Sequence, residues 1–325
     1  MNHRTLRSWH PTMLFVSDMM RWEHKRQRMM TYQAFWTTLK KTFQGRPQWV
    51  VSWGATVLLL VCSGCSFTFA YRHADWLILW QLDHYFDITS SQRRDLSIRL
   101  APLLTRHRRE ALPRYEAELL DVRRRLSRGL TSEDIDWAYH TYDHLRADLF
   151  ERIVPDGGVF LASIDSGQVR KLERVLSREN RKALRRIEVP VSERLNTRAQ
   201  KTLDWLREWL GPLTSDQQAF VRTWSLSLPD MQPVWIAYQH QRQQELLALL
   251  HRPRTPESLS SELRAMIVHH DQTATPAYQQ SAERMRNAVK DMALALDRQM
   301  TLDQRRFALT KLQSLIDQVH KLQAD

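Results

Sequence analysis

Two cysteines, Cys62 and Cys65, are the only ones in the chain, and their C-x-x-C spacing supports several chemistries. A thiol–disulfide exchange pair needs a strand leading into a helix within a βαβ unit, and no such pattern surrounds them. A structural zinc site needs four ligands, and no second cysteine pair exists to complete one. What survives is the end of a signal sequence at a modified cysteine, or an uncleaved membrane anchor. Elsewhere, His140 and His144 stand at i, i+4 on a predicted helix with Asp136 one turn earlier, a spacing that could supply adjacent metal ligands. The glutamate of an H-E-x-x-H motif is missing, so metalloprotease chemistry lacks its base. Exposed or packing histidines are the plainer reading, with a metal-binding or enzymatic protein as the alternative. Trp76, Trp80, Asp83 and Asp87 fall at i, i+4, i+7 and i+11 and so share one helical strip. That strip is either a contact surface or a buried face whose aspartates pair with Arg93 or Arg94. There is no G-x-S-x-G, no P-loop and no Rossmann glycine pattern. No catalytic residue is assigned, and no cofactor is expected beyond the group on the cysteine.

The surroundings of Cys65 bear on that choice. Pro47 to Tyr71 contains no charged residue, and its most apolar part, from Trp49 to Val61, follows Lys40, Lys41 and Arg46. A short apolar run behind basic residues fits a signal sequence better than an optimal membrane span, and the basic flank keeps the N-terminus in the cytoplasm. Ser63-Gly64-Cys65 resembles the end of a bacterial lipobox, although Cys62 stands where leucine is usual. The resemblance implies cleavage between Gly64 and Cys65, a lipid on Cys65 and, with Ser66 following, export to the outer membrane. Each buried methylene adds about 0.8 kcal/mol, so a multiply acylated cysteine is a lasting anchor. The rival is an uncleaved signal anchor in the inner membrane. Both place the remainder outside the cytoplasm. The stretch before Cys65 is long for a signal peptide, and translation from Met29 or Met30 would shorten it.

More than half of the formal net charge of +12 sits in this leader, where nine Lys and Arg residues face only Asp18 and Glu23. The high pI therefore does not argue for nucleic acid. Beyond residue 65 only Gly129, Gly157, Gly158, Gly167 and Gly211 are glycines, good helix formers dominate, and apolar residues recur at three- and four-residue steps. The predicted class is all-α, a bundle or helical-hairpin array of roughly ten helices. Thr89/Gln92, Thr214/Gln217 and Thr301/Gln304 each match a capping box, in which the threonine and glutamine satisfy each other's backbone N–H. Thr131/Asp134 is a variant, and Asp165/Gln168 is a weaker case. Breaks are predicted at Pro113, Pro155-Asp-Gly-Gly158, Pro190, Gly211-Pro212, Pro229, Pro253 and Pro276. The spacing of the boxes hints at duplicated units near 89–165 and 213–300. The division read from these signals is leader 1–64, lipidated tether 65–73, first helical unit 74–210 and second unit 211–325.

Ala74-Asp75-Trp76-Leu77, Leu82-Asp83-x-Tyr85-Phe86-Asp87-Ile88-Thr89-x-x-Gln92 and Trp209-Leu210-Gly211-Pro212-Leu213-Thr214-x-x-Gln217 resemble an uncharacterised family of all-helical bacterial lipoproteins. That resemblance implies location and fold and carries no activity. The T-x-x-Q boxes are also similar to motifs of small periplasmic chaperones, a likeness that any capped helix produces.

A basic helix completes the inventory. Arg170, Lys171, Arg174, Arg178, Arg181, Lys182, Arg185 and Arg186 share one segment with an apolar stripe. In an envelope protein this face could meet anionic lipid; the plainer reading is a solvated outer face, and a second cluster, Arg123 to Arg128, makes it less singular. The expectation is a non-enzymatic binding or scaffold module facing the periplasm, chaperone-like in one version. Its partners are the membrane through the lipid, and envelope proteins or anionic lipid, with no nucleic acid.

Overall fold

The computed structural model describes residues 67–252, 255–269 and 274–324. Cys62, Gly64, Cys65 and the signal sequence read around them lie outside the described residues, as does Pro253. The described chain is all-helical, with eleven α-helices and no strand among the described residues. Residues 67–72 are helical and pass through a turn at His73 into α1 (Ala74–Phe86). Then come α2 (Ser90–Arg106), a π-helical segment (His107–Ala111), α3 (Leu112–Arg128), α4 (Ser132–Ala162) and α5 (Ser166–Ile187). They are followed by α6 (Val191–Leu210), α7 (Ser215–Ser227), α8 (Gln232–Leu250), α9 (Pro256–Ile267), α10 (Pro276–Gln299) and α11 (Leu302–Ala324).

The starts are set by side chains three residues apart. Thr89/Gln92, Thr131/Asp134, Asp165/Gln168 and Thr214/Gln217 all form complete capping boxes. Thr301 and Gln304 do the same at α11, with backbone-to-side-chain bonds of 3.0 and 3.1 Å. Thr255 and Thr275 cap α9 and α10, each with proline at the first helical position, where a missing N–H costs nothing. The α1 stop is unusual: Asp87 holds φ +55° without being glycine.

Two predicted breaks do not occur. Pro155-Asp-Gly-Gly158 lies inside the unbroken α4. Its glycines serve packing instead, since a Cβ on Gly158 would stand 2.0 Å from Ser260 Oγ and 2.6 Å from the Pro256 carbonyl. Without side chains there, α9 can press directly onto α4. Pro113 likewise fails to stop the chain. The π segment precedes it, with the Leu112 N–H reaching back to the His107 carbonyl, and the altered register absorbs the bond that proline cannot make.

The box glutamines also join distant helices. Gln92 and Gln168 pair their amides at 3.0 and 2.8 Å, and Gln217 and Gln304 do so at 2.9 and 2.8 Å. In every case the amide N–H₂ also donates to the carbonyl two residues before the partner's N-cap: Ser163, Asp87, Gln299 and Pro212. Each glutamine thus uses both donors and both lone pairs. Two hairpin turns are clasped to two others by one repeated geometry.

Around the first clasp, Phe86, Ile88, Leu96, Phe160, Leu172 and Leu176 form a core shared by α1, α2, α4 and α5, with α8 leucines against it. Leu203, Leu206, Leu213, Val221, Met292 and Leu296 form another between α6, α7 and α10 beside the second clasp. Burying such side chains stabilises by about 1.5–3 kcal/mol each. Tyr238 and Tyr278 stack 4.1 Å apart between α8 and α10, and Leu112, Val319 and Leu322 join α3 to α11. Helices on either side of residue 210 interleave, with α9 on α4, α11 on α3 and α8 on α5.

Candidate functional site

Helix α5 is amphipathic in a one-sided way. Val169, Leu172, Val175 and Leu176 are buried, and Asn180 is tied to Gln243 of α8 at 2.7 Å. The opposite side carries Arg170, Arg174, Arg178, Arg181 and Arg185, all exposed, with Lys182 and Arg186 beside them and Lys171 half-buried. The acids of this helix do not neutralise that side. Glu173 accepts from His251 Nε2 at 2.9 Å, and Glu179 accepts from the Tyr85 hydroxyl at 3.1 Å. Among the described residues, none of the eight cations forms an ion pair; Arg181 instead donates to Ser177 Oγ at 2.7 Å. Glu173, Arg174, Ser177, Arg178 and Arg181 line a shallow open groove along the ridge.

The other arginine cluster is different. Arg124 pairs with Asp121 at 2.9 Å, while Arg125 and Arg128 both grip the buried Asp134, and Arg125 also lies 4.0 Å over the Trp137 ring. Burial pushes the Asp134 carboxyl up, but its bonds from the Thr131 backbone, Arg125 and Arg128 outweigh this and hold it well below the usual carboxylate range. Three arginines of this cluster are thus each held by a carboxylate, and among the described residues none of the α5 cations is.

Helix α1 supplies a second surface. Trp76 is exposed and stacks on Trp80 at 6.4 Å, which stacks on His84 at 6.3 Å. Asp83 pairs with Arg93 at 2.9 Å. Asp87 caps α1 in the left-handed conformation, and its carbonyl receives Gln168. The two carboxylates therefore do not converge on a common point. Tyr85 faces the other way, onto α5, where burial and then the Glu179 carboxylate push its hydroxyl pKa far up.

The candidate metal residues stay apart. His140 and His144 are exposed on α4, and Asp136 is held by Lys290 Nζ at 2.6 Å. Among the described residues no group of three His, Cys, Asp or Glu side chains is placed to hold a metal.

One cluster escaped the reading of the sequence. His107, in the π segment, receives or gives hydrogen bonds to Tyr71 at 2.9 Å and Tyr115 at 3.2 Å. Burial and then Arg152 push the His107 pKa down, with Asp148 opposing. Burial raises both tyrosines, Arg108 opposing at Tyr71 and Asp148 adding at Tyr115. A half-buried neutral imidazole between two phenols ties the segment before α1 to the body. Only a π-turn brings these three together, and nothing in the local sequence marks one.

Among the described residues, fold and surface thus define an all-helical protein with an uncompensated cationic face on α5. The chain belongs to the DUF6279 family, a family of unknown function, whose model matches residues 84–278. The matched segment contains α5 and three of the four clasp glutamines; Trp76, Trp80 and Gln304 lie outside it. No curated protein and no solved structure matches the chain. Among the described residues no helix is long and apolar enough to cross a membrane.

Proposed function

We propose that the chain is a bacterial envelope lipoprotein, held in the membrane by a lipid on Cys65, which works without catalysis by presenting α5 to an anionic surface in the periplasm. The observation that carries this reading is the set of eight α5 cations without an ion pair. A helix face of one sign repels itself, and counter-charges could have been placed at i+4, as they are for Arg99 and Asp95 at 2.8 Å. Leaving the face open makes sense where a partner supplies the opposite charge. Near a phosphate-bearing surface each cation contributes about 1 kcal/mol, so several together hold a partner although one alone does not. The module acts as a scaffold between its own membrane and the surface it meets.

The test uses the full acylated protein in zwitterionic vesicles and asks whether these capture free vesicles containing phosphatidylglycerol. Capture by wild type, its loss in Arg174→Gln/Arg178→Gln/Arg181→Gln, and its loss in about 1 M salt, where the Debye length shrinks to about 3 Å, are expected. Equal capture by wild type and the triple variant, or equal capture of neutral vesicles, would overturn the proposal. Acyl labelling decides the anchor separately: Cys65→Ala should abolish the label, and a labelled Cys65→Ala protein would remove the lipid reading.

A further inference from the structure

The described chain begins two residues beyond Cys65, and its first large side chains point away from the body. Phe67 is 38% exposed, Phe69 57% and Trp76 57%. These are not the side chains of a polar linker. The backbone is helical through the turn, with His73 N–H bonded to the Phe69 carbonyl at 3.1 Å and Leu77 N–H to the His73 carbonyl at 2.9 Å. Phe69, His73, Trp76 and Trp80 therefore fall at i, i+4, i+7 and i+11 on one side. Their rings run as a ladder, Phe69 on His73 at 4.4 Å and Trp76 on Trp80 at 6.4 Å. Tyr71 turns inward, hydrogen-bonded to His107 at 2.9 Å and packed beside Leu112, Val319 and Leu322, with the part-exposed Phe67 ring 6.5 Å from its own. The segment thus has an inner aromatic that fixes its direction and outer ones left uncovered.

We infer that Phe67, Phe69 and Trp76 form a seat that rests in the interfacial layer of the membrane holding the chain, setting the height and tilt of the helical body above it. This rests on the lipid anchor at Cys65 proposed above. Four residues reach at most about 14 Å when extended, and seven further helical residues add about 10 Å. Phe67 and Phe69 thus stay within about 14 Å of the acylated residue and Trp76 within about 24 Å, so all three rings can reach the headgroup region, which is several ångströms thick on each side. Tryptophan favours that layer, where its flat apolar body leaves water and its indole N–H stays wet, and phenylalanines add apolar area that is buried at the acyl boundary. The short tether keeps these exposed rings beside the bilayer whatever else is present, which is why the bilayer is the occupant chosen.

The experiment reconstitutes the full acylated protein in phosphatidylethanolamine–phosphatidylglycerol vesicles. Of the chain's 12 tryptophans five precede Cys65, and the acylated protein keeps seven, so the fluorescence lost in Trp76→Phe isolates the Trp76 signal. That difference should be quenched several-fold more strongly by lipids brominated on their acyl chains than by aqueous iodide. The matching difference for Trp205→Phe, exposed on α6, is the comparison and should be quenched by iodide. Phe67→Ser/Phe69→Ser should shift the Trp76 signal toward iodide without loss of helicity. A Trp76 signal quenched by iodide alone, or by neither agent, overturns the inference. Acyl labelling of Cys65 on the same preparation separates the two readings. Bromolipid quenching without label overturns the lipid anchor and leaves the seat, whereas label without quenching overturns the seat alone.

Discussion

The side-chain amides of Gln217 and Gln304 are paired head to tail at 2.9 and 2.8 Å, both in a site closed to solvent. Each also completes its own capping box and serves a carbonyl at the other's turn. Removing one therefore leaves one N–H and one lone pair of the other amide, and the carbonyl it served, buried without partners, a cost of about 1–3 kcal/mol, with about 1 kcal/mol more for the weakened cap. Gln217→Leu and Gln304→Leu are each expected to lose about 2–4 kcal/mol on these grounds. The double variant should lose less than the sum by about 1–2 kcal/mol. Urea unfolding of the four proteins measures this, and strict additivity would show that the amides act separately.

Two adjacent glycines on α4 should respond in opposite ways. A Cβ on Gly158 meets Ser260 Oγ at 2.0 Å and backbone atoms of α9 at 2.6 and 2.9 Å, while one on Gly157 meets only a leucine methyl at 3.3 Å. Gly158→Ala is expected to cost about 1–3 kcal/mol through forced separation of α4 and α9. Gly157→Ala should be neutral or stabilising by up to about 1 kcal/mol, the helix preference of alanine over glycine. Thermal melting reads both, and equal shifts would contradict the packing described.

Asp134 is buried against Arg125 and Arg128. Both arginines keep some solvent contact, so Asp134→Leu should fall at or below the low end for a broken buried pair, about 2–3 kcal/mol. Because its folded-state pKa lies below the ordinary carboxylate value, its contribution is complete at neutral pH. That contribution is lost as pH falls below about 4 and through the folded value. The variant should flatten the acid limb of stability in that range, as followed by circular dichroism.

The histidine between Tyr71 and Tyr115 gives a milder acid response at higher pH. Burial and Arg152 lower its pKa, Asp148 opposes them, and Arg108 stands by Tyr71. A base whose folded pKa is depressed binds more protons when unfolded. Stability is therefore full above about 6.5 and declines as pH falls through the folded value. His107→Asn should remove this part of the decline in melting temperature, and an unchanged profile would place its origin elsewhere.

Legibility in the sequence followed the range of the interaction. Each capping box is written within four residues, and all the threonine boxes could be read locally; Asp165 to Gln168 was complete too, though its serine and glycine made it look weak. Which box meets which could not be read, because Gln92 and Gln168 are 76 positions apart and Gln217 and Gln304 are 87 apart. Pro155-Asp-Gly-Gly158 carries every local sign of a turn, and only contact with Ser260 explains why it is helix instead. The α5 cations could be counted from the sequence. That their neighbouring acids turn to His251 and Tyr85 could not.

Those separations also impose an order in time. A chain emerging N-terminus first at about 5–20 residues per second can cap α2 at once, since Thr89 and Gln92 arrive together. Gln92 must then wait several seconds for Gln168, and Gln217 slightly longer for Gln304. The first half can therefore lock before the second has both its glutamines, and a chain cut short of α11 carries one clasp closed and one permanently open. Such a truncated product would lack the 23 residues of α11, uncover Leu112 of α3 where Val319 and Leu322 pack and leave Gln217 without its Gln304 partner, differences that amide exchange would register at α3 and at the start of α7.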